Sequence, residues 1–332
     1  MVGLIVLLIL AAVITPDLYS VGSLMNMLRN NCVFVFLAVG EMIVIISGGI
    51  DISISCIMAL SGCVCSLLQF HHPQVPVFLW LIVAILIGMV CGMFNGFVVG
   101  TLKVTPMIAT LGTNYIFRGL AFIISSGAWW YPHQYQMTFQ NFSIGKTAGI
   151  YNIIWFAVLI LILAAVFLND TTPGRRIYAV GTNKESAKVS GIRESRVMLM
   201  SYTICGAVCG LAGMLYVANF AVGNFAIGDG FEMTAIAICI LGGVSIIGGQ
   251  GRVGGVFIAV LMMSIITSFI SMLPGLSVWQ DAIKGAIIII AVGINIWTAR
   301  STRRRDLKER GVTAVMNEKK KWRLQASLFN GK

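Results

Sequence analysis

Long apolar runs alternate with short polar connections along most of the chain. Ten apolar segments can be drawn, and most approach the ~20 residues that a helix needs to cross the hydrocarbon core of a bilayer. The pattern therefore predicts an all-α polytopic membrane protein with about ten transmembrane segments, some of them broken or re-entrant. The segments are 1–14, 32–47, 52–70, 76–100, 104–125, 150–169, 197–221, 233–247, 253–273 and 278–298.

Two glycine pairs interrupt this pattern. Gly48-Gly49 ends the second segment, and Gly242-Gly243 lies within the eighth. Non-helical backbone is tolerated at membrane depth only where protein or a water-filled cavity covers it. We therefore expect half-helices or re-entrant pieces at both places. The surrounding sequences, IISGGIDIS (45–53) and ILGGVSIIGG (240–249), are faintly alike. They leave open whether the chain consists of two inverted halves.

A strongly polar segment lies in the middle of the chain, at 170–196. It carries six Lys and Arg, and ten more lie between 300 and 323, so these two segments hold sixteen of the 23 basic residues. Basic loops beside membrane spans stay on the cytoplasmic side. With ten crossings, this rule places the polar segment and both termini in the cytoplasm. The sequence thus predicts a transmembrane domain over 1–299 and a basic cytoplasmic tail over 300–332.

The same topology assigns the N-terminal run and the outer loops. The run MVGLIVLLILAAVI has no basic flank and no clear cleavage site, so it is predicted to be a short first span rather than a removed signal peptide. The connections 71–75, 127–149 and 222–232 are expected outside.

Composition supports a membrane protein by exclusion. Hydrophobic residues make up 58% of the chain and charged residues 11%, with a mean hydropathy of +0.91. A soluble domain of this length would need far more charge on its surface. The net charge of +11 could suggest nucleic acid. Because the basic residues cluster beside spans, however, we expect contact with anionic membrane lipid and no nucleic-acid partner.

Motifs that resemble nucleotide or metal sites lack the context that such sites need. GQGRVG (249–254) has dinucleotide-binding spacing but lies between membrane spans, and QNFSIGKT (140–147) lacks the first glycine of a P-loop. The eight cysteines lie in apolar segments and are interpreted as packing residues. We therefore expect no cofactor, no metal and no enzymatic activity in this chain. Energy for transport would come from an ion gradient or from a separate ATPase.

Four ionisable residues interrupt the apolar segments: Glu41, Asp51, Arg118 and Lys284. Such residues are expensive at membrane depth and are often functional. Asp51 is interpreted as a cap for the helix that begins near residue 52, with a proton relay as the alternative. Glu41 has no evident partner one helical turn away, so it must face protein or water.

A glycine ridge is predicted in the fourth segment. Gly88, Gly92, Gly96 and Gly100 recur at every fourth position and share one helix face. Such a face lets a neighbouring helix approach backbone to backbone, so we interpret the ridge as a packing surface. Asn95 is polar at membrane depth and needs a partner.

The polar segment contains signals for a short helix. Asn183 can cap a helix over 184–190, and Gly191 can end it. Apolar residues along it, such as Val189, could dock into a groove on another protein. From the residues alone, a solvated loop that only sets the topology is an equal alternative.

Four blocks of sequence resemble the membrane-spanning permease subunits of ribose-type sugar ABC importers, in the branched-chain amino acid/ribose permease superfamily. The chain departs from that family at Glu41, Ile52 and Ser55, where an uncharged residue, Leu and Gly are usual. The blocks are GEMIVIISGGIDISIS (40–55), NGFVVGTLKVTPMIATLGTNYIFRGLA (95–121), GRRIYAVGTNKESAKVSGI (174–192) and GDGFEMTAIAICILGGVSIIGGQGRVGG (228–255).

The resemblance implies a permease in the bacterial inner membrane that imports a sugar or sugar-like solute. The 174–192 block would be the segment that docks into a cytoplasmic ABC ATPase, where ATP and Mg²⁺ bind. A second permease subunit, identical or homologous, would complete the pore, and an extracytoplasmic sugar-binding protein would deliver the solute. The ATPase-coupling residues implied are Gly181, Asn183, Glu185, Ala187 and Gly191.

The two glycine breaks are expected to line or gate the path of the solute, because interrupted helices offer free backbone polar groups. The alternative function is a stand-alone gradient-driven carrier or channel that uses Glu41 or Asp51. The expected path or gate residues are Glu41, Gly48, Gly49, Asp51, Ser53, Asn95, Thr110, Asn114, Gly242 and Gly243.

Overall fold

The computed structural model describes residues 20–272 and the positions 275, 279, 280, 282, 283, 285, 286, 289 and 293. The chain divides into two compact units, 1–284 and 285–332, and the first contains nearly all of the described residues. The predicted first span at 1–14, Lys284, most of the last span at 278–298 and the tail at 300–332 lie outside the described residues. The count of ten spans and the location of the termini therefore stay predictions.

The described part is predominantly helical, as the sequence predicts. Seven of its helices are long and apolar enough to cross a membrane, and each overlaps a predicted segment. Residues 146–147 (β1) and 150–151 (β2) form a small antiparallel hairpin. The helices are α1 (Val21–Ile46), α2 (Ile54–His71), α3 (Val77–Gly100), α4 (Pro106–Ser125), α5 (Met137–Ile144), α6 (Asn152–Asp170), α7 (Thr172–Thr182), α8 (Lys184–Val189), α9 (Glu194–Phe220), α10 (Phe231–Leu241) and α11 (Val253–Met272).

Helix α1 begins at Val21, well before the predicted start at residue 32. The polar residues of its first turns hide this start in a pattern based on apolar residues. Ser20 caps the helix, since its hydroxyl accepts a hydrogen bond from the Ser23 backbone N–H at 3.2 Å. The Arg29 guanidinium lies 5.0 Å from the centre of the Tyr151 ring, which accommodates its charge at the end of the bundle.

The eighth predicted span, 233–247, is not a full helix. Helix α10 covers eleven residues, Phe231–Leu241, which rise about 16 Å, roughly half of the hydrocarbon core. The segment before it, predicted as an outer loop, instead runs inward along α2. Gly223 lies against Ser66, and Gly228 lies against Met58, about two turns further along α2. Residues 221–230 therefore form an inward loop, which continues into α10 towards the second break.

The connections collect at two opposite ends of the bundle. At one end, Glu194 forms ion pairs with Lys103 at 2.7 Å and with Lys184 at 2.9 Å, so the polar segment lies beside the α3–α4 connection. At the other end, the Tyr135 hydroxyl donates to Ser66 at 2.8 Å. This separation agrees with the parity of the predicted spans. The assignment of the first end to the cytoplasm remains a prediction from the basic residues.

The glycine ridge of α3 packs directly against α9, as predicted. A methyl group added to Gly88 would lie 2.0 Å from the Gly206 carbonyl oxygen, and one added to Gly92 would lie 2.1 Å from that of Tyr202. The approach is reciprocal, since a methyl group on Gly206 would lie 2.1 Å from the Gly88 carbonyl oxygen. Helix α9 also packs against α1 and α2, which makes it the central element of the described bundle.

Replacing Gly92 by alanine should destabilise the protein, although alanine is the better helix former. The added methyl group must push α3 and α9 apart, and overpacking of this kind costs about 1–3 kcal/mol. The measurement is the temperature at which the detergent-solubilised protein loses its monodisperse peak in size-exclusion chromatography. Gly112→Ala is the matched control, because a methyl group on Gly112 has no described residue within 4 Å. Equal melting of the two variants would contradict the close packing of α3 and α9.

Candidate translocation site

The connection between α1 and α2, residues 47–53, is a buried break at one end of the bundle. Gly48 has a φ of 89°, a conformation that favours glycine. A methyl group on Gly49 would lie 2.7 Å from the Tyr202 hydroxyl oxygen, so the second glycine is needed for close approach. Asp51 and Ser53 are completely buried. The sequence motif thus forms a tight turn whose polar groups face the interior of the protein.

A hydrogen-bonded cluster surrounds the Asp51 carboxylate. Its Oδ1 accepts from the Ser53 backbone N–H at 2.9 Å and from the Ser53 hydroxyl at 2.7 Å. Asn95 of α3 donates to the Ser53 hydroxyl at 2.7 Å and approaches both carboxylate oxygens of Asp51 at 3.4 Å. Asp51 therefore stabilises the start of α2 as predicted. The backbone N–H that it binds belongs to Ser53, the residue before the helix, rather than to a residue within it. Asn95 finds the partner that its depth requires.

Side chains from two other helices satisfy backbone carbonyl groups in the break. The Ile50 carbonyl oxygen accepts from the Tyr202 hydroxyl at 3.1 Å and from the Thr110 hydroxyl at 3.3 Å. Asn114 donates to the Ile52 carbonyl oxygen at 2.8 Å. An unpaired carbonyl at membrane depth would cost several kcal/mol, so these donors from α4 and α9 make the break possible.

Glu41 faces protein and is completely buried. Its Oε1 accepts from the Asp51 backbone N–H at 3.1 Å, which ties the last turns of α1 to the break. Its Oε2 has no hydrogen-bond partner among the described residues, and the same is true of the Asn95 Oδ1. The first break therefore unites most of the predicted path residues in one cluster: Glu41, Gly48, Gly49, Asp51, Ser53, Asn95, Thr110 and Asn114.

The second break, residues 242–252, follows the half-helix α10. Gly243 has a φ of 79°, and a methyl group on Gly242 would lie 2.8 Å from the Val256 Cα atom of α11. The Ser245 N–H donates to the Gln250 carbonyl oxygen at 3.0 Å, which closes the segment into a tight loop. The break therefore turns back directly into α11.

The two breaks meet each other, and helix α7 of the polar segment covers their junction. The Gly249 backbone N–H donates to the Ile46 carbonyl oxygen at 2.9 Å. Gly181, at the end of α7, lies directly beside this hydrogen bond. A methyl group on it would lie 1.8 Å from the Ile46 carbonyl oxygen and 2.6 Å from the Gly249 nitrogen. The polar segment is thus in backbone contact with both breaks.

Tyr178 provides a second contact between α7 and the second break. Its hydroxyl donates to the Gly251 carbonyl oxygen at 2.8 Å. Burial raises the pKa of the Tyr178 phenol, and Arg252 offsets part of that effect. The phenol therefore keeps its proton at neutral pH and remains a hydrogen-bond donor.

The short helix predicted after α7 is present as α8, Lys184–Val189. The Asn183 side chain accepts from the Ser186 N–H at 3.0 Å, and Gly191 ends the helix with a φ of 78°. Ala187 faces inward, Glu185 is exposed, and Val189 is 90% exposed. The structure brings all five predicted coupling residues into the α7–α8 unit, while their function remains a prediction.

The sequence patterns did not identify several features of the site. Helix α7 was not predicted, although Thr171 accepts from the Gly174 N–H at 3.1 Å and Pro173 follows it, a recognisable helix start. Tyr202 looked like one apolar residue among many in α9. Arg118 was noted without its partners, which lie in the inward loop at Asp229 and at nearby backbone carbonyls. No local signal predicts such contacts between distant segments.

Comparison with known families gives a match over most of the chain. The family described as "Branched-chain amino acid transport system / permease component" matches residues 23–292. This stretch includes both breaks, α7 and α8.

Individual relatives cover nearly the whole chain. The ribose import permease protein RbsC of Escherichia coli strain K12 is 30% identical over 88% of this chain and 91% of its own length. RbsC of Bacillus subtilis strain 168 is 34% identical, over 87% of this chain and 89% of its own length. The D-allose transport system permease protein AlsC of Escherichia coli strain K12 is 32% identical, over 85% of this chain and 86% of its own length. No solved structure matches the chain.

Replacing Tyr202 by phenylalanine should loosen the first break. The change removes a buried donor to the Ile50 carbonyl oxygen, which leaves Thr110 alone at 3.3 Å. We expect a loss of about 1 kcal/mol, measured as a lower melting temperature in detergent. Tyr216→Phe on the same helix is the control, because its hydroxyl has no hydrogen bond to a described residue. A Tyr202→Phe variant as stable as this control would show that the hydroxyl does not hold the break.

Proposed function

Since the chain belongs to the family of branched-chain amino acid transport system permease components, we propose that it is the permease subunit of an ATP-driven importer for a sugar or sugar-like solute. The ribose and allose permeases among its relatives support this solute class. The gradient-driven alternative is not favoured, because every relative named above is a permease of an import or transport system.

The contact of Gly181 with both breaks carries the proposal. A motor that docks on α7 and α8 would push directly on the Ile46–Gly249 hydrogen bond, where the two breaks meet. Packed interiors shift between discrete arrangements rather than deforming gradually. Movement of α7 would therefore switch both breaks together and alternate access to the path between them. In this scheme Asn183 and Gly191 define the ends of the docking helix, and Glu185 and Val189 face the partner.

The partners follow from the same scheme. A cytoplasmic ABC ATPase would supply the ATP and Mg²⁺ chemistry, a second permease subunit would complete the pore, and an extracytoplasmic sugar-binding protein would deliver the solute. The permease domain would span 1–299 in the bacterial inner membrane. The tail at 300–332 would lie in the cytoplasm against anionic lipid.

Replacing Val189 by aspartate should abolish docking of the ATPase without damage to the fold, because the side chain is 90% exposed. An apolar side chain that becomes buried at an interface contributes about 1–3 kcal/mol to the free energy of binding. A charge at the same position adds a desolvation cost. The measurement is co-purification of the partner ABC ATPase with a tagged permease in detergent. We expect at least a tenfold loss of bound ATPase.

Val189→Ile is the matched control, because it keeps an apolar side chain at the same exposed position. It should retain the ATPase. Both variants should show the same amount of permease in the membrane. Normal ATPase binding by Val189→Asp would remove α8 as the docking helix and, with it, the proposed use of the polar segment.

A further inference from the structure

The inward loop 221–230 brings charged groups to membrane depth. Gly223 lies against Ser66 near one end of α2, and Gly228 lies against Met58, so the loop descends about 12 Å along that helix. The Trp130–Gly223 backbone bridge fixes the start of this descent. Backbone without regular structure at this depth must be covered by protein or must border water.

Arg118 of α4 holds the second half of the loop, residues 225–229. Its guanidinium donates to the carbonyl oxygens of Phe225 at 2.8 Å and Ile227 at 3.3 Å, and to the Asp229 carboxylate at 3.4 Å. The Arg118 side chain is only 20% exposed, whereas that of Asp229 is 85% exposed. The Arg118 guanidinium is therefore largely occupied by hydrogen bonds to the loop. The loop presents the Asp229 carboxylate at the surface.

A second carboxylate follows at the start of α10. Glu232 accepts a short hydrogen bond from the Ser55 hydroxyl, at the beginning of α2 next to the first break. Asp229 and Gly230 beside it are exposed, and Met233 is 50% exposed. This surface therefore extends from the inward loop to the residues that adjoin the first break.

Other exposed surfaces of the bundle have a different character. Between α3 and α4 lies an apolar groove of about 520 Å³, lined by residues such as Val90, Phe94 and Leu120. Before its polar end at Asn169 and Asp170, the exposed side chains of α6, such as Leu159 and Ile162, are also apolar. Apolar surfaces of this kind suit lipid, whereas an exposed carboxylate at membrane depth suits water.

We propose that the surface formed by Arg118, the loop 226–230 and the start of α10 is the wall of the solute path, and that Asp229 and Glu232 contact the solute as it crosses. This inference rests on the proposed function and locates its path. Two carboxylates accept hydrogen bonds from the hydroxyl groups of a sugar. One positive charge against two negative charges disfavours phosphorylated or carboxylated solutes. The path therefore suits uncharged, hydroxyl-rich molecules.

Cysteine labelling tests the location of the path. Ala226→Cys and Met233→Cys place thiols on the proposed wall, and Val90→Cys places one in the apolar groove at 67% exposure. The complete transporter in native membranes, opened by freeze–thaw, is treated with a charged, membrane-impermeant methanethiosulfonate. Because only a hydrated thiolate reacts, the wall positions should react about tenfold faster or more than Val90→Cys. The parent chain, whose eight cysteines are buried, gives the background.

If the thiols of Ala226→Cys and Met233→Cys both react as slowly as that of Val90→Cys, the proposal is wrong. That result would leave the proposed function intact, because ATPase binding is measured separately at α8.

Neutralisation of Asp229 tests its contact with the solute. Asp229→Asn should lower the maximal rate of ATP-driven sugar uptake several-fold in proteoliposomes, while the amount of bound ATPase stays unchanged. Asp170→Asn, which removes an exposed carboxylate at the end of α6, is the control and should transport normally. Uptake by Asp229→Asn equal to that of the control would remove Asp229 from the path.

Discussion

Backbone polar groups at membrane depth must find partners within the protein, and this constraint shapes both helix breaks. At the first break, Tyr202, Thr110 and Asn114 donate to backbone carbonyl groups. At the junction of the breaks, the Ile46 carbonyl oxygen accepts from the Gly249 N–H. These hydrogen bonds bind α4, α9 and the second break to the first break. A movement at one break must be accompanied by movement of the elements that supply its hydrogen bonds.

The position of α7 gives this constraint a mechanical consequence. Gly181 touches both partners of the hydrogen bond that joins the breaks, and the Tyr178 hydroxyl adds a contact to the second break. The same polar segment carries α8, with its exposed Val189. A force applied to α8 reaches the breaks through one short helix. The tight packing of α3 against α9 provides a frame against which such a movement can occur.

Sequence patterns predicted the elements whose signals are local. The seven candidate spans of the described part follow from the length of the apolar runs. Helix α8 follows from its caps at Asn183 and Gly191, and the packing face of α3 follows from its glycine spacing. The early start of α1 was missed because polar residues near Arg29 interrupt the apolar pattern. The donors to the first break were not predictable, since Tyr202 lies about 150 residues from the carbonyl it serves. The inward course of 221–230 depends in the same way on Arg118, a distant side chain.

The most direct test of the account is the coupling ratio of a Gly181→Ala transporter, measured as solute molecules taken up per ATP hydrolysed in proteoliposomes. The added methyl group would lie 1.8 Å from the Ile46 carbonyl oxygen, so it must separate α7 from the breaks. With the amounts of assembled permease and ATPase equal to those of the parent, the account predicts continued ATP hydrolysis with little or no uptake. An unchanged coupling ratio would show that the contact between α7 and the two breaks does not transmit the work of the ATPase.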